Sequence, residues 1–286
     1  MNAAPLVTIG VPVYNEARFL DATLASLRAQ DYPNLDILVS DNASTDDTAA
    51  ICARHAAQDP RLRIQRLPAN VGASANFQRV VEQAQGRYFM WAAGHDRWTP
   101  GLVSECVALL EAHADAQLAF PCSRWMDVEG NDYPRATGWT DTRGLPAVAR
   151  LFTVFWGSMH PIMGVIRTDA LRACGPMPNL VGGDLVLLSK LVLRGDFLHA
   201  RNSEWVRREF RDERSYRDKV KRYSSATTGL ARSRFARLFP LLELPVALAR
   251  VVLRSELKTA DKATTLLALF ASFPVRYVVG RRHSTG

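Results

Sequence analysis

The chain has 286 residues, of which 48% are hydrophobic and 22% are charged, and its formal net charge is +8. This composition is that of a folded globular protein and excludes disordered and collagen-like chains. The length predicts one large domain with an appendage.

The positive charge is concentrated in the C-terminal part of the chain. Residues 1–200 contain 17 basic and 20 acidic side chains, whereas residues 201–286 contain 19 basic and 8 acidic ones. A basic appendage on a near-neutral body predicts an anionic partner. We favour an anionic membrane surface over a merely solvated face. We expect no nucleic-acid partner, because the sequence has no zinc-finger spacing and no RNA-binding aromatic motif.

The spacing of the cysteines and the composition of the N-terminal residues indicate the cellular compartment. Four cysteines lie far apart without CxxC pairing, and no charged-then-apolar leader precedes Pro5. These features predict a cytoplasmic protein with reduced thiols.

The first 120 residues alternate short apolar runs with segments of helical composition. The predicted strands span residues 6–13, 35–41, 61–67, 87–93 and 116–121. The first predicted helix begins near Phe19. Three further predicted helices span residues 48–55, 73–85 and 102–113. This alternation predicts a mostly parallel sheet flanked by helices.

The pattern changes after residue 121. Residues 122–160 are rich in Gly, Trp, Arg and Pro, which predicts irregular loops, and residues 181–197 contain a further helix. From about Lys219 the chain is basic and helical. Its apolar runs are interrupted or too short to cross ~30 Å of hydrocarbon. They are predicted either to lie in a membrane interface or to pack against the main domain.

Polar residues follow the predicted strands. Ligands of such sheets bind beyond the carboxyl ends of the strands. There Tyr14 can stack on a nucleotide base, and Asp41 can accept a hydrogen bond from the N3–H of uracil or thymine. Asn15 and Glu16 follow the same strand, and the alternative to a role in ligand binding is that they serve only as the first residues of the next helix. A dinucleotide-binding dehydrogenase is excluded, because no GxGxxG follows the first strand.

Several motifs in this order resemble the family 2 glycosyltransferases, which have the α/β GT-A fold. The sequence "VPVYNE" (11–16) resembles the family's PxYNE, "SDNASTDDT" (40–48) its xDxxSxDxT, and residues 70–91 its glycine- and asparagine-containing segment. The resemblance covers about the first 210 residues. It implies a nucleotide-sugar-binding half (1–121) and an acceptor-binding and catalytic half (122–218) of one domain, and composition adds a basic amphipathic helical tail (219–286).

The resemblance also implies an activity. Members of this family transfer a sugar with inversion, here from a UDP- or dTDP-sugar to a hydroxyl of a glycan or lipid-linked acceptor at the inner face of the cell membrane. The QxxRW motif of processive members is missing, which implies a single addition. The implied donor-binding residues are Pro12, Tyr14, Glu16, Asp41, Asn70, Gly72, Asn76 and His95.

The resemblance places a metal-binding acidic motif after the fourth strand, where this chain departs from the family. The aligned residues are Ala93, Gly94, His95 and Asp96, so the first acid is missing. Imidazole and carboxylate both ligate Mn²⁺ or Mg²⁺, and Asp96 is the first choice of ligand and His95 the second.

Four alternatives to this metal assignment remain open. In the first, His95 hydrogen-bonds a phosphate directly, and in the second it only caps the end of the strand. In the third, the protein is a metal-independent transferase in which Arg and His replace the cation. In the fourth, the protein binds nucleotide sugars without turnover.

One residue is the principal candidate for the base that acts on the acceptor. The resemblance implies that Asp184, which follows two glycines, is the catalytic base, whereas composition alone favours a helix N-cap. Trp156 and His160 are candidate acceptor contacts, or else a packed Trp and a surface His. Arg208 and Arg211 lie where the family often contacts the diphosphate.

Overall fold

The computed structural model describes residues 3–134, 141–157, 160–209 and 240–282. The strands are β1 (Val7–Val13), β2 (Leu35–Asp41), β3 (Leu62–Arg66), β4 (Tyr88–Trp91), β5 (Arg97–Trp98), β6 (Ala116–Met126), β7 (Val165–Arg167) and β8 (Asp196–Arg208). The α-helices are α1 (Ala17–Arg28), α2 (Thr48–Ala56), α3 (Ala73–Glu82), α4 (Leu102–Ala112), α5 (Ala147–Trp156), α6 (Thr168–Ala173), α7 (Gly183–Arg194), α8 (Glu243–Arg254) and α9 (Thr259–Arg282).

The strands form one eight-stranded mixed sheet in the order β3-β2-β1-β4-β7-β6-β8-β5. The pairs among β3, β2, β1 and β4 are parallel, as is the β6–β8 pair, whereas β7 runs antiparallel to β4 and β6, and β5 antiparallel to β8. The register sets Val13 opposite Asp41. The loops that follow β1, β2 and β4 therefore meet at one edge of the sheet.

Helices cover both faces of the sheet. On one face α1, α2 and α4 bury side chains such as Leu24, Ile51 and Val103 against the strands. On the other face α3, α5 and α7 bury Val80, Phe155 and Leu188. Because the central strands are buried on both faces, they read as nearly continuous apolar runs.

The prediction of irregular loops over 122–160 is wrong in two places. β6 continues to Met126 because it pairs with β8, and the pairing shifts register between Pro121 and Cys122. Helix α5 forms because Leu151, Val154 and Phe155 recur at helical spacing and are buried. The surrounding Gly, Pro and Arg residues obscured both elements.

The two C-terminal helices pack on the second half of the sheet. Leu248 and Val252 of α8 are buried, and the ring of Phe273 in α9 lies 5.3 Å from the ring of Phe155 in α5. Residues 219–239 of the expected tail lie outside the described residues. Within the described ranges, no helix has both the length and the hydropathy needed to cross a bilayer.

We expect Gly164→Ala to destabilise the fold. A Cβ at Gly164 would lie 2.3 Å from the Ala119 carbonyl oxygen, so β6 would have to move. Overpacking of this kind costs about 1–3 kcal/mol in the free energy of unfolding. Urea denaturation of Gly101→Ala is the control, because a Cβ at Gly101 meets only Asp31 Oδ2 at 3.7 Å. Equal stability of the two variants would contradict the strand packing described here.

Candidate functional site

Side chains of the β2–α2 loop hold the first turn of α1. Three amides of that turn donate to this loop: Asn15 N to Ser44 Oγ (3.0 Å), Glu16 N to Thr48 Oγ1 (2.9 Å) and Ala17 N to Asp46 Oδ2 (3.1 Å). Glu16 occupies the N-cap position, but its side chain makes no capping hydrogen bond. The two loops therefore form one unit, and the Glu16 carboxylate makes its contact elsewhere.

Asp41 ends β2 with a buried carboxylate that is only partly satisfied. Its Oδ1 accepts a hydrogen bond from the Ser44 amide at 2.9 Å. Its Oδ2 lies 3.5 Å from Arg66 Nε and accepts no hydrogen bond from any described residue. Such an atom is costly unless a donor meets it, and protein atoms cover it here, so a ligand N–H would reach it only after a neighbouring side chain such as Arg66 moves. On the neighbouring strand, Pro12 is buried and Tyr14 is 43% exposed.

Two asparagines arrange the segment before and within α3. Asn70 Oδ1 accepts hydrogen bonds from the Gly72 amide at 2.8 Å and from Asn42 Nδ2 at 2.9 Å, and Gly72 has a φ of +88°. Asn76 is buried, accepts the Ser40 hydroxyl at 2.6 Å and donates to the Ser40 carbonyl at 3.0 Å. Asn70 therefore shapes the turn and Asn76 holds α3 against β2. A donor contact by Asn70, Gly72 or Asn76 stays a prediction.

His95, in the loop after β4, contacts Glu16. The distance from His95 Nδ1 to Glu16 Oε1 is 3.2 Å, and the two side chains are 13% and 21% exposed. A carboxylate that accepts from one ring nitrogen selects the tautomer with its lone pair on the other nitrogen. The pair thus has the chemistry of an oriented metal ligand or, when protonated, of a phosphate donor.

Protein donors engage both carboxylate oxygens of Asp96. Trp205 Nε1 donates to Oδ2 and the Arg208 amide to Oδ1, each at 2.9 Å, and Asp96 is 2% exposed. Burial raises the pKa of Asp96, and the nearby His95 and the two hydrogen bonds oppose that rise. These contacts disfavour Asp96 as a metal ligand. They make it the anchor that ties the β4–β5 loop to β8.

The arginine expected near the diphosphate is engaged by the protein itself. The Arg208 guanidinium lies 4.4 Å from the centre of the Phe19 ring. It also donates to three backbone carbonyls, those of His95, Asp127 and Val128. Arg211 lies outside the described residues. Arg208 is therefore a brace for the loop that carries His95.

The two candidate acceptor contacts are in different environments. Trp156, at the end of α5, is 48% exposed. His160 is 6% exposed and lies between two buried indoles, with centroid distances of 5.7 Å to Trp125 and 5.5 Å to Trp205. The alternative of a packed Trp and a surface His is thus reversed: the Trp is exposed and the His is packed.

Two glycines place Asp184 in the first turn of α7. Gly182 has a φ of +91°, and a Cβ on Gly183 would lie 2.0 Å from the Pro178 carbonyl oxygen, so neither position accepts a larger residue without a shift of the loop. Asp184 Oδ1 accepts the Leu185 amide at 2.9 Å. Burial raises the pKa of Asp184, opposed by that amide and by nearby arginines. A carboxylate with a raised pKa is a stronger general base.

Contacts connect the two halves of the site. Ser74 Oγ in α3 donates to Asn179 Oδ1, in the loop before Asp184, at 2.9 Å. Arg207 of β8 lies near enough to lower the pKa of both Asp96 and Asp184. The sequence did not predict the roles of Trp205 and Arg207, because β8 itself was not recognised. The local signal for that part of the strand was the strand propensity of Trp205 and Val206.

A cavity of about 350 Å³ lies away from these residues. It is found between α3, α6 and α7 and is lined by apolar side chains that include Val81, Trp91 and Leu187. None of the predicted site residues is among the described residues that line it. We therefore place the candidate site at the strand edge, where the polar chemistry converges.

The possibilities for a metal are limited. Residues 3–134, 141–157, 160–209 and 240–282 contain no cluster of three or more His, Cys, Asp or Glu side chains suited to a metal. A cation that bridges a diphosphate takes most ligands from phosphate and water and needs only one or two from the protein. The His95–Glu16 pair fits that smaller role, whereas Ala93 offers no ligand.

Comparison with solved structures shows the fold. A structure of TarS of S. aureus in complex with UDP-GlcNAc has a TM-score of 0.68 at 17% identity and covers 92% of this chain and 71% of that one. The mannosyltransferase PcManGT of Pyrobaculum calidifontis, in complex with GDP-Man and Mn²⁺, has a TM-score of 0.58 at 18% identity and covers 99% and 85%. The α/β architecture is therefore the GT-A fold of these transferases.

Comparison with sequences shows the family. TuaG of Bacillus subtilis, whose name assigns it to teichuronic acid biosynthesis as a glycosyltransferase, is 32% identical over 97 residues. These residues are 34% of this chain and 38% of TuaG, so the chain spans less than half of this relative. Residues 8–171, more than half of the chain, match the family model described as Glycosyl transferase family 2. The chain therefore belongs to glycosyl transferase family 2.

Proposed function

We propose that the protein transfers a single sugar from a nucleoside diphosphate sugar to an acceptor hydroxyl with inversion. The observation that carries this proposal is the buried Asp41 carboxylate, whose Oδ2 accepts no hydrogen bond from a described residue at the sheet edge. TarS and PcManGT were solved with UDP-GlcNAc and with GDP-Man, and these two ligands belong to the same chemical class.

The base of the donor binds between β1 and β2 in this proposal. Asp41 Oδ2 accepts the N3–H of uracil or thymine, and that hydrogen bond satisfies the oxygen. Tyr14, exposed at the adjacent strand end, stacks on the base. The donor is therefore a UDP- or dTDP-sugar.

The diphosphate binds beside His95. A divalent cation, Mn²⁺ or Mg²⁺, would supply positive charge that stabilises the leaving diphosphate. His95 would hold it, and Glu16 orients the imidazole through Nδ1. Asp96 keeps the loop in position through its bonds to β8. We therefore prefer His95 over Asp96 as the ligand.

Asp184 acts on the acceptor. Its carboxylate removes the proton of the acceptor hydroxyl as that oxygen attacks the anomeric carbon, and the bond from this carbon to the diphosphate oxygen breaks. Attack from the face opposite the leaving group inverts the anomeric centre. The two glycines before Asp184 let the loop pack closely on Leu244 and Pro178, which sets the position of the carboxylate.

The acceptor is a glycan or a lipid-linked glycan of the cell envelope in this proposal. Support comes from the basic C-terminal part of the chain and from the similarity to TuaG. Such an acceptor places the protein at the cytoplasmic face of the membrane.

Nucleoside diphosphates test the base assignment. We expect UDP or dTDP with Mn²⁺ to raise the melting temperature, because a ligand at ~100 times its Kd stabilises by about 2.7 kcal/mol. Asp41→Asn should remove this shift, because an amide N–H then faces the N3–H. Asp47→Asn, an exposed carboxylate of the same loop, is the control. A larger shift with GDP would overturn the uracil or thymine assignment.

Asp184→Asn tests the catalytic base. We expect it to lower the transfer rate by about 10²- to 10⁴-fold with little change in donor affinity. Asp169→Asn is the matched control, because Asp169 accepts the same hydrogen bond from the next amide in the first turn of α6 and is exposed. Donor binding by the wild type without turnover on any acceptor would favour the alternative of a nucleotide-sugar-binding protein.

The pH profile tests the same residue independently. Because burial raises the pKa of Asp184, its base form is lost at a higher pH than for an ordinary aspartate. We expect kcat/KM to fall as the pH decreases, with a midpoint above the usual aspartate pKa of about 3.9. A flat profile down to that value would count against Asp184 as the base.

Mn²⁺ binding tests the His95–Glu16 pair. We expect Glu16→Gln to weaken the binding of Mn²⁺ to the protein–UDP complex by about 10- to 100-fold, as measured by electron paramagnetic resonance, and His95→Ala to weaken it further. Glu82→Gln, at an exposed position of α3, is the control. Undiminished Mn²⁺ binding in both variants would remove the pair from the metal site, and transfer that is insensitive to chelators would establish a metal-independent reaction.

A further inference from the structure

The outer face of α9 is apolar and exposed. Leu267 is 73% exposed and Phe270 and Val275 are each 53% exposed. At 100° per residue, Ala260, Ala263, Leu267, Phe270, Ala271 and Pro274 all lie within about 60° of the direction of Leu267. This set, which we call the α9 outer face, contains no charged residue and extends along about 21 Å of helix.

The opposite face of α9 already fulfils the packing role. Leu269 and Phe273 are 2% and 5% exposed, and Phe273 packs on Phe155. An amphipathic helix that only covers a domain has a polar outer face, whereas α9 is apolar on both. Apolar patches of this kind on a protein surface mark interaction sites.

Positive charge flanks the α9 outer face. Residues 243–282 contain seven basic and three acidic side chains. Arg254, the last residue of α8, and Lys258, in the turn before α9, are exposed and form no ion pair with a described residue. Leu253, beside them, is 56% exposed, and Lys262 Nζ donates to its carbonyl oxygen at 2.9 Å.

We propose that the α9 outer face, together with Leu253, inserts into the interface of an anionic lipid bilayer. The apolar side chains enter the boundary between headgroups and acyl chains, and Arg254 and Lys258 bind the anionic headgroups. A second copy of this chain would offer the same positive charge to these cations, which favours the lipid surface as the partner.

This surface is close to the proposed catalytic loop. Leu244 of α8 lies over Gly182, because a Cβ there would be 3.1 Å from its methyl carbons. Arg276 of α9 donates to the Phe155 carbonyl and also acts on the charge of Asp184. The helices that contact the bilayer thus cover the loop of the catalytic base. This part rests on the proposed function, under which a lipid-linked acceptor would reach Asp184 from the side of the domain that α8 and α9 cover.

Vesicle flotation of the full chain tests the proposal. We expect binding to vesicles of phosphatidylcholine with about one quarter phosphatidylglycerol, weaker binding to phosphatidylcholine alone, and a loss with added salt. The double variant Leu267→Ser, Phe270→Ser should bind about tenfold less or worse. Ile64→Ser, an exposed apolar residue of the edge strand β3, is the control. Arg254→Glu, Lys258→Glu should lose the preference for anionic vesicles.

Two further measurements make each outcome decisive. The melting temperature of the double variant should match that of the wild type, because both side chains are exposed. UDP binding by the double variant should also be unchanged. A wild-type protein that binds anionic vesicles but transfers no sugar counts against the proposed function alone. The membrane proposal is overturned if the wild-type protein does not bind anionic vesicles. It is also overturned by a wild-type dimer that the double variant converts to a monomer without a change in vesicle binding.

Discussion

The two hydrogen bonds that Asp96 accepts from Trp205 and Arg208 are the constraint on which the site depends. They join the loop after β4 to β8 across more than 100 residues of sequence. A carboxylate that is 2% exposed is costly unless both oxygens are satisfied, so the loop has one favourable position. With the loop fixed, His95 meets Glu16, whose own loop is held by Ser44 and Thr48. The strand edge is therefore ordered before any ligand binds, which reduces the cost of binding.

Most residues of the recognised motifs form hydrogen bonds that hold the loops in position, and few have groups that remain for a ligand. Ser44, Asp46 and Thr48 accept backbone amides of the first turn of α1, and Asn76 bonds Ser40. The described contacts leave Tyr14 exposed and Asp41 Oδ2 without a donor. In the loop before α7, Gly182 and Gly183 likewise serve to position one carboxylate, that of Asp184. The spacing of the motifs is therefore set by the loops that they form. The groups of these loops that remain for a ligand are the ones to which we assign a chemical role.

The sequence predicted the local elements of the first half well and the long-range contacts poorly. β2 was predicted at its observed bounds, because periodicity and turn residues are local signals. β8 was missed because its pairing with β6 lies far away in sequence, and α5 because a composition rich in Gly, Pro and Arg concealed its buried face. The ranking of Asp96 above His95 as a ligand followed from the resemblance to the family's acidic motif and from ligand chemistry. It could not take account of the donors that engage Asp96, because they lie 109 and 112 residues downstream of it. For the C-terminal helices, periodicity left packing and membrane contact as alternatives. The buried Leu269 and Phe273 show packing for one face of α9, and membrane contact of the other face is our proposal.

The most direct test of the account is a crystal structure of the protein with UDP and Mn²⁺. We predict that the uracil N3–H lies within hydrogen-bond distance of Asp41 Oδ2, and that an anomalous peak of manganese lies between the diphosphate and His95, with Asp96 still bonded to Trp205 and Arg208. A nucleotide bound in the cavity between α3, α6 and α7, or a diphosphate remote from both Asp41 and His95, would contradict it.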